Sequence, residues 1–327
     1  MTMVNGTVWL IPLAFALDLA LGDPRVGWHP VCLAGWWCRK VECFWKRMFG
    51  KTFLSGGMAW FCSVLPWLFL CFCLLSACRR LFPFEWGVLV PGAMAVYACL
   101  APRSLAEHAW RVIREASSGD LEGARRAVSM IVGRDTEKLD MHGVLRAAIE
   151  SVAENWTDGV FSTIFWVALG CTFGGIEAGA LCAIFHRVSN IMDAMWGKRN
   201  DEYRRFGTWA ARTDDVLNWI PARLSLPLIA VAAAVVPGCS LHGALSIGWK
   251  YRHEHASPNS AWSEAAFAGA LGLRLSGPVS YKGMPAPYPY IGEGRTEATV
   301  EDARHAVLLM AAATVLAIAV SVLVLQW

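Results

Sequence analysis

The chain has 327 residues, 56% hydrophobic and 17% charged, with a mean hydropathy of +0.41. A soluble domain carries about 25% charged residues, so a wholly water-exposed fold is excluded and lipid is part of the solvent. A net charge of +3 is too small for a nucleic-acid binder, and 17 Trp suit membrane interfaces.

Thr7 to Leu21 is the first apolar run; it lacks a basic flank and carries Asp18 near its end, unlike a cleavable leader. The segment from Asp23 to Gly57 brings Arg25, Arg39, Lys40, Lys46, Arg47 and Lys51. By the positive-inside rule it is cytoplasmic and the N-terminus is outside. Met58 to Ala77 reaches the roughly 20 apolar residues of a membrane helix. Trp86 to Ala101 is a shorter span, entered through an outside link from Arg79 to Glu85. Pro102 to Gly159 reads as cytoplasmic helices. Leu105, Ala109, Val112 and Ile113 recur at helical spacing, as do Leu145, Ala148, Ile149 and Val152, with Asp120 and Thr136 as N-caps.

Val160 to Phe185 is long enough to span but holds Gly170, Gly174, Gly175, Gly179 and Glu177. A carboxylate at mid-membrane costs roughly 2.5 to 3.5 kcal/mol. Leu224 to Val236, with Pro227, is short for a span. Both are read as re-entrant, each entering and leaving on one side. Residues 238–304 are rich in Pro and Gly and favour ordered loops over long helices. Ala306 to Gln326 is the last span. The expectation is one membrane domain over 1–327, with spans at about 7–21, 58–77, 86–101 and 306–326, and cytoplasmic segments 23–57, 102–159, 186–223 and 238–305. All Lys and Arg but Arg79 and Arg80 then lie inside, Arg223 at the very boundary. The fold class is an all-α integral membrane protein, a polytopic helical bundle with a helical, loop-rich cytoplasmic portion. Internal repeats are absent, and the 11 Cys form no CxxC pair, so they read as small buried hydrophobes.

Four polar clusters interrupt the apolar chain. The first is Gly22-Asp23-Pro24-Arg25 with His29-Pro30-Val31. The second joins Val132-Gly133-Arg134-Asp135-Thr136 to Glu154-Asn155-Trp156-Thr157-Asp158-Gly159. The third runs from Asn190 to Arg223, and the fourth from Ser257 to Ala266. Ionisable groups beside lipid are costly unless paired or functional. Glu154, Asp158, Asp193, Asp214 and Asp215 are hard oxygen donors of the kind Mg²⁺ prefers. Lys198, Arg199, Arg212 and Arg223 suit phosphate, Arg through its bidentate fork. Such a mixture suits Mg²⁺-assisted phosphoryl chemistry. Plainer readings stand beside these. Asp214-Asp215 could cap a helix near Val216, and Lys198, Arg199, Arg204 and Arg205 could mark the cytoplasmic boundary. Arg134-Asp135 could be a local ion pair and cap, and Asn155, Asn259 and His29 turn residues. His253 and His255, two apart, fall on different faces of a helix, which disfavours a metal pair.

The blocks GDPRVGWHPV, VGRDT, ESVAENWTDGV, NIMDAMWGKRNDEYRRFGTWAARTDDVLNWIPAR and SPNSAWSEAAFAGALGLRL, in that order, resemble the CobD/CbiB family of cobalamin biosynthesis. The resemblance extends to about Gly283. Cys32, Trp156 and Ser263 stand where the family has Arg, a small residue and Pro, which weakens roles at those positions but not the family assignment. The AmpE-like membrane proteins share the fold and would be expected to lack the intact Asn190 to Arg223 block. A non-enzymatic signalling protein or transporter of that kind is the alternative.

The resemblance implies an adenosylcobinamide-phosphate synthase, a ligase that joins adenosylcobyric acid to (R)-1-amino-2-propanol or its O-phosphate, with ATP and Mg²⁺, through an acyl phosphate. The corrinoid is substrate. No Walker A or GxGxxG motif occurs, so any nucleotide site must be built from the polar clusters. Glu154, Asp158, Asp193, Asp214 and Asp215 are the candidate catalytic carboxylates. Asp158, Asp193, Asp214 and Asp215 among them are the candidate Mg²⁺ ligands. His29, Arg134, Asn155, Asn190, Lys198, Asn200, Arg212, Asn218, Arg223, Ser257, Asn259 and Glu264 are candidates for substrate and phosphate. Trp196, Trp219 and Trp262 are candidates to pack on the corrin ring. The implied location is the bacterial inner membrane, multi-pass, among lipid and other membrane enzymes of the pathway.

A reporter fused after Arg205 should read as cytoplasmic; periplasmic activity at that junction would contradict the four-span topology.

Overall fold

The computed structural model describes residues 6–24, 27, 29–198, 200–281 and 283–327. Arg25 and Arg199, both counted among the basic groups above, lie outside the described residues. In chain order the helices are α1 (Thr7–Leu21), α2 (Pro30–Phe49), α3 (Phe53–Leu81), α4 (Glu85–Tyr97), α5 (Pro102–Ser117), α6 (Leu121–Val128) and α7 (Met141–Asn155). A π-turn (Trp156–Phe161) leads into α8 (Ser162–Trp196), followed by α9 (Thr208–Ala233), α10 (Leu241–Tyr251) and α11 (Ser260–Leu271). Four short strands, β1 (Leu275–Ser276), β2 (Val279–Tyr281), β3 (Met284–Ala286) and β4 (Tyr290–Ile291), precede α12 (Val300–Leu325). The strands form two antiparallel ladders, β1 with β4 and β2 with β3.

This is an all-α multi-pass membrane protein. Five helical runs are long and apolar enough to cross a membrane: Phe53–Leu81, Trp86–Ser117, Met141–Trp196, Thr208–Ala233 and Val300–Leu325. Thr7–Leu21 is a shorter apolar helix. The chain forms two compact units. One comprises Met1–Ala101, Ser162–Asn218 and Ile318–Trp327, and the other Pro102–Phe161 and Trp219–Ala317.

In the first unit, α2 buries Ala34, Cys38 and Val41, spaced one helical turn apart, and keeps Lys46 and Arg47 in its last turn, where the helix dipole favours cations. Thr52 caps α3, its side chain accepting from Ser55 N at 3.1 Å. Trp60, Val64, Val188, Met192, Trp196 and Phe206 form the core. Glu42 lies at the core's edge; it pairs with Lys46 and accepts from Trp196 Nε1 at 2.9 Å and Tyr203 OH at 2.8 Å. Helix α8 is not straight. Gly174 (φ −152°, ψ 21°) and Gly175 (φ 69°, ψ −160°) break it. A Cβ on Gly170 would meet Ala178 O at 2.7 Å, and one on Gly179 would meet Cys171 Sγ at 2.5 Å and Val167 O at 3.1 Å. Thr163 Oγ1 and His186 Nδ1 stand 3.1 Å apart. All these pairs centre between residues 173 and 175, so the two limbs run antiparallel and the small residues let them touch. Glu177 therefore sits at the tip of a reversal, not midway along a span, and it pairs with Arg79 at the end of α3.

Helix α9 begins at Thr208 and continues through Pro221 and Pro227 to Ala233. Asp214 and Asp215 are thus in its second turn, which rules out the capping reading. Leu224 to Ala233 is the continuation of this helix.

The second unit packs α5, α6 and α7 together and sets α10 against α11. The latter pair approach through glycine: a Cβ on Gly243 would lie 2.3 Å from Gly269 O, and one on Gly269 2.1 Å from Gly243 O. Every residue of α11 is buried. Asp120 caps α6 as expected, accepting from Gly123 N at 2.8 Å. Helix α7 is capped by Asp140, through Gly143 N at 2.7 Å, and not by Thr136, which precedes a short turn. Trp156 donates to Thr314 Oγ1 at 2.9 Å and stacks on Phe161.

Gly175 occupies a backbone region open essentially to glycine alone, where other residues cost roughly 1–3 kcal/mol. Gly175→Val should therefore lower the stability of the purified protein by about that much. Gly35→Ala, with nothing within 4 Å of the added carbon, should be neutral or stabilising by roughly 0.4–1 kcal/mol. Thermal unfolding in detergent measures both, and equal midpoints would contradict the strained reversal.

Candidate functional site

The second unit encloses a small polar cavity of about 130 Å³. It forms where the loop after α6 meets α7, α11 and the strand region. Glu150, on α7, is 7% exposed and pairs with Arg134 from that loop. Its second oxygen accepts from Ser276 N at 2.7 Å and stands 3.9 Å from Arg146 Nε. Ser276 holds φ at 57°, the one non-glycine positive φ among the described residues. One turn on, Glu154 also lines the cavity and accepts from Ser260 Oγ at 3.0 Å. Glu264, from α11, is 4% exposed and points to the same space, with His255 Nε2 at 3.9 Å. Tyr281 and Tyr288 complete the wall.

Burial holds the Glu264 carboxyl well above its ordinary value of 4.5, and the charges of Glu154 and Glu150 push the same way, against Arg134. Burial also works against the Arg134 charge, but Glu150 more than offsets it and keeps that guanidinium protonated. Asp135 braces the loop by accepting from Ser280 Oγ and Gly283 N, each at 2.8 Å.

The first unit holds a second polar set. Asp214 is 8% exposed and accepts from Asn218 Nδ2 at 2.9 Å and Asn190 Nδ2 at 3.4 Å. Asn218 Oδ1 faces His186 Nε2 at 3.2 Å. The charges of Asp193 and Asp215 both bear on Asp214. Beside this network lies a groove of about 440 Å³, lined by Lys198, Arg204, Arg212, Asp201 and Asp215 among others. Gly197 lines it too; a Cβ there would meet Asp193 Oδ1 at 1.9 Å, so backbone and carboxylate approach only because no side chain intervenes.

Of the residues expected at the site, Arg134, Glu154 and Glu264 share the second unit's cavity. Asn190, Asp193, Asp214, Asp215 and Asn218 gather in the first unit, with Lys198 and Arg212 on the adjoining groove. Asp158 lies in the π-turn, close enough for its charge to reach Glu264. Asn155 is exposed and donates to Ser151 O at 2.8 Å. Asn200 accepts from Tyr203 N at 3.1 Å, the turn role anticipated for other Asn residues. His29 is buried 3.5 Å from Asp23. Ser257 Oγ accepts from Asn259 N at 3.2 Å, and the buried Asn259 precedes α11. Arg223 stacks on Trp219, 3.9 Å from its ring, and donates to Trp219 O. Trp196 is wholly buried in the first unit's core, so it packs the fold and offers no face to a corrin ring.

Sequence reasoning passed over Glu150 and His186, weighed His255 only as a disfavoured metal ligand, and read Arg204 only as a boundary marker. The first two carried a signal. Glu150 is one turn before Glu154 and His186 one turn before Asn190, and residues four apart share a helix face.

Among the described residues, no group of three or more His, Cys, Asp or Glu is arranged to hold a metal ion alone. Asp193, Asp214 and Asp215 are not such a group, but the charges of Asp193 and Asp215 both bear on Asp214, and Asp215 lines the cationic groove. That fits magnesium in its usual form, with one or two carboxylates on the ion and the remaining ligands supplied by water and substrate phosphate.

The chain matches the CobD/Cbib protein family over residues 11–310. It is 37% identical over 317 residues to the cobalamin biosynthesis protein CbiB of Salmonella typhimurium, covering 94% of each chain. It is 37% identical over 318 residues to the cobalamin biosynthesis protein CobD of Citrobacter koseri, covering 95% of each. With the CobD of Clostridium perfringens the identity is 34% over 293 residues, 89% of this chain and 90% of the other. No solved structure matches.

Because its folded-state acidity is weakened, Glu264 stabilises the fold below its ordinary value of 4.5, and the contribution is lost as pH rises through the raised value. Glu264→Gln should flatten this decline and gain stability relative to the parent towards neutral pH. Unfolding midpoints measured from about pH 5 to 8 test this; parallel profiles would contradict the buried, proton-holding carboxyl.

Proposed function

The chain belongs to the CobD/CbiB family, and from that membership we propose that it is an adenosylcobinamide-phosphate synthase of the bacterial inner membrane. It forms the amide between adenosylcobyric acid and (R)-1-amino-2-propanol or its O-phosphate, with ATP as the activating substrate. The observation that carries the ATP-using reading is the groove of the first unit, where Lys198, Arg204 and Arg212 face Asp201 and Asp215 in about 440 Å³. That volume lies within the range of small-molecule sites, roughly 300–1,000 Å³.

A carboxylate does not condense with an amine near neutral pH, since its oxygen is a poor leaving group. In the proposed sequence, a carboxylate oxygen of the corrinoid attacks the terminal phosphorus of ATP, releasing ADP and leaving an acyl phosphate. The neutral amine then attacks the carbonyl carbon, the bond to the phosphate oxygen breaks, and the amine's surplus proton passes to a protein base. Lys198, Arg204 and Arg212 bind the phosphates. Asp193, Asp214 and Asp215 would supply one or two carboxylates to magnesium, which would offset negative charge on the phosphoryl oxygens. Asn190 and Asn218 fix the Asp214 carboxylate by their amide hydrogens. Glu154 would take the proton from the amine. Handover to other membrane enzymes of the pathway would suit a lipid-embedded catalyst.

Purified protein given ATP, Mg²⁺, cobyric acid and the amine should yield the amide by mass spectrometry. With ¹⁸O in the reacting carboxylate, inorganic phosphate should carry one label per amide. Amide made at full rate without ATP, or unlabelled phosphate, would exclude the acyl-phosphate route. Asp215→Asn should lower kcat by about 10²- to 10³-fold, while the unfolding midpoint stays within error.

A further inference from the structure

The cavity of the second unit brings three carboxyl groups, Glu150, Glu154 and Glu264, to one small space. Arg134 is committed to Glu150. Glu154 receives one neutral hydrogen bond, from Ser260. Glu264 is 4% exposed and accepts no hydrogen bond among the described residues; its nearest cation, His255, is at 3.9 Å, beyond hydrogen-bonding reach. Burying a carboxyl without partners is costly. The expense is tolerated where a ligand completes the set. The space of about 130 Å³ is below the roughly 300–1,000 Å³ of sites for drug-sized ligands, so a small group suits it best. Carboxylates and phosphates would be repelled by Glu154 and Glu264. A primary ammonium fits both the size and the charge, since it is a compact cation with three donors, enough for both carboxylates and one further oxygen.

We infer that this cavity is the amine subsite, and that Glu154 and Glu264 grip the ammonium group of a small amino alcohol from two helices, α7 and α11. The assignment rests on the ligase reading above. It assigns recognition of the amine to residues of the second unit. The carbon chain lies toward Tyr281 and Tyr288, whose rings give apolar contact with hydroxyls at their ends. Arg134 and Arg146 act on the amine only through Glu150, by fixing the wall on which Glu154 stands.

The test is kinetic and direct. Glu264→Gln keeps the shape and removes the charge. It should raise KM for 1-amino-2-propanol about tenfold to a hundredfold, as expected for loss of a charge-assisted hydrogen bond, and leave KM for cobyric acid and ATP within about twofold. Glu154→Gln, on the other helix, should raise the amine KM likewise, with kcat falling as well because Glu154 also takes the amine's proton, and serves if the first variant does not fold. In a second arm, the amine alone should raise the unfolding midpoint saturably. Propane-1,2-diol, with a hydroxyl in place of the amine, should not, and neither should Mg²⁺ alone; Glu264→Gln should abolish the effect. An equal rise in the corrinoid or ATP KM, or protection by Mg²⁺ in place of the amine, would overturn the assignment. If wild type protects with amine yet makes no amide, the ligase reading fails while the amine site stands. If it makes amide and both variants keep the parental amine KM, the site fails while the ligase reading stands.

Discussion

The pair of Arg134 and Glu150 is the interaction on which the second unit's polar interior depends. Arg134 comes from the loop after α6, and Glu150 from the middle of α7. The other oxygen of Glu150 takes the backbone N–H of Ser276 in β1. Three distant segments therefore meet at one carboxylate. A buried ion pair is no guarantee of net stability, because desolvation consumes much of the attraction, but breaking one by removing a partner costs about 3–5 kcal/mol. The consequence here is positional. With Glu150 held, Glu154 one turn on faces α11, and Glu264 is opposite it across the cavity. Ser276 keeps its unusual backbone because Glu150 receives its N–H.

The same constraint governs the first unit. In a chain this poor in charge, several buried ionic groups are answered by a partner. Glu177 meets Arg79 at the tip of the α8 reversal, Lys46 lies between Glu42 and Glu202, and Asp214 is wrapped by two side-chain amides. In low-dielectric surroundings such groups cannot be left to solvent. The solutions differ in kind. Structural pairs such as Lys46 with Glu42 are closed, whereas Asp215, Lys198 and Arg212 line a groove, and Glu264 lines a cavity without accepting a hydrogen bond among the described residues. That contrast separates packing from function better than residue type does.

Much of this was legible in the sequence. The low charge and long apolar runs fixed the class, and the periodicity of Leu145, Ala148, Ile149 and Val152 matches the buried face of α7. Five polar blocks in order carried the family. Other features were not legible, for physical reasons. Gly174 and Gly175 announce a break, but only the close approach of Gly170 to Ala178 and of Gly179 to Cys171 reveals a hairpin, and a linear string does not show contacts between its own limbs. Thr136 and Asp140 are both good caps by type, and the turn between them decides which one starts the helix. Asp214-Asp215 resembles a cap because the helix start at Thr208 has no strong local signal. The sorting of the acidic residues into two sets depends on long-range packing, as does the burial of Trp196, which composition alone offers equally to core, lipid or ligand.

A double-mutant cycle over Arg134→Met and Glu150→Gln in the purified, lipid-reconstituted protein tests most directly whether this pair supports the cavity. Each single change should destabilise by about 3–5 kcal/mol, and the double change by less than their sum, leaving a coupling of about 2 kcal/mol or more, within the range of contacting groups. Single effects that add to within about 0.5 kcal/mol would contradict it, and would mean that the cavity is held by its apolar surroundings alone.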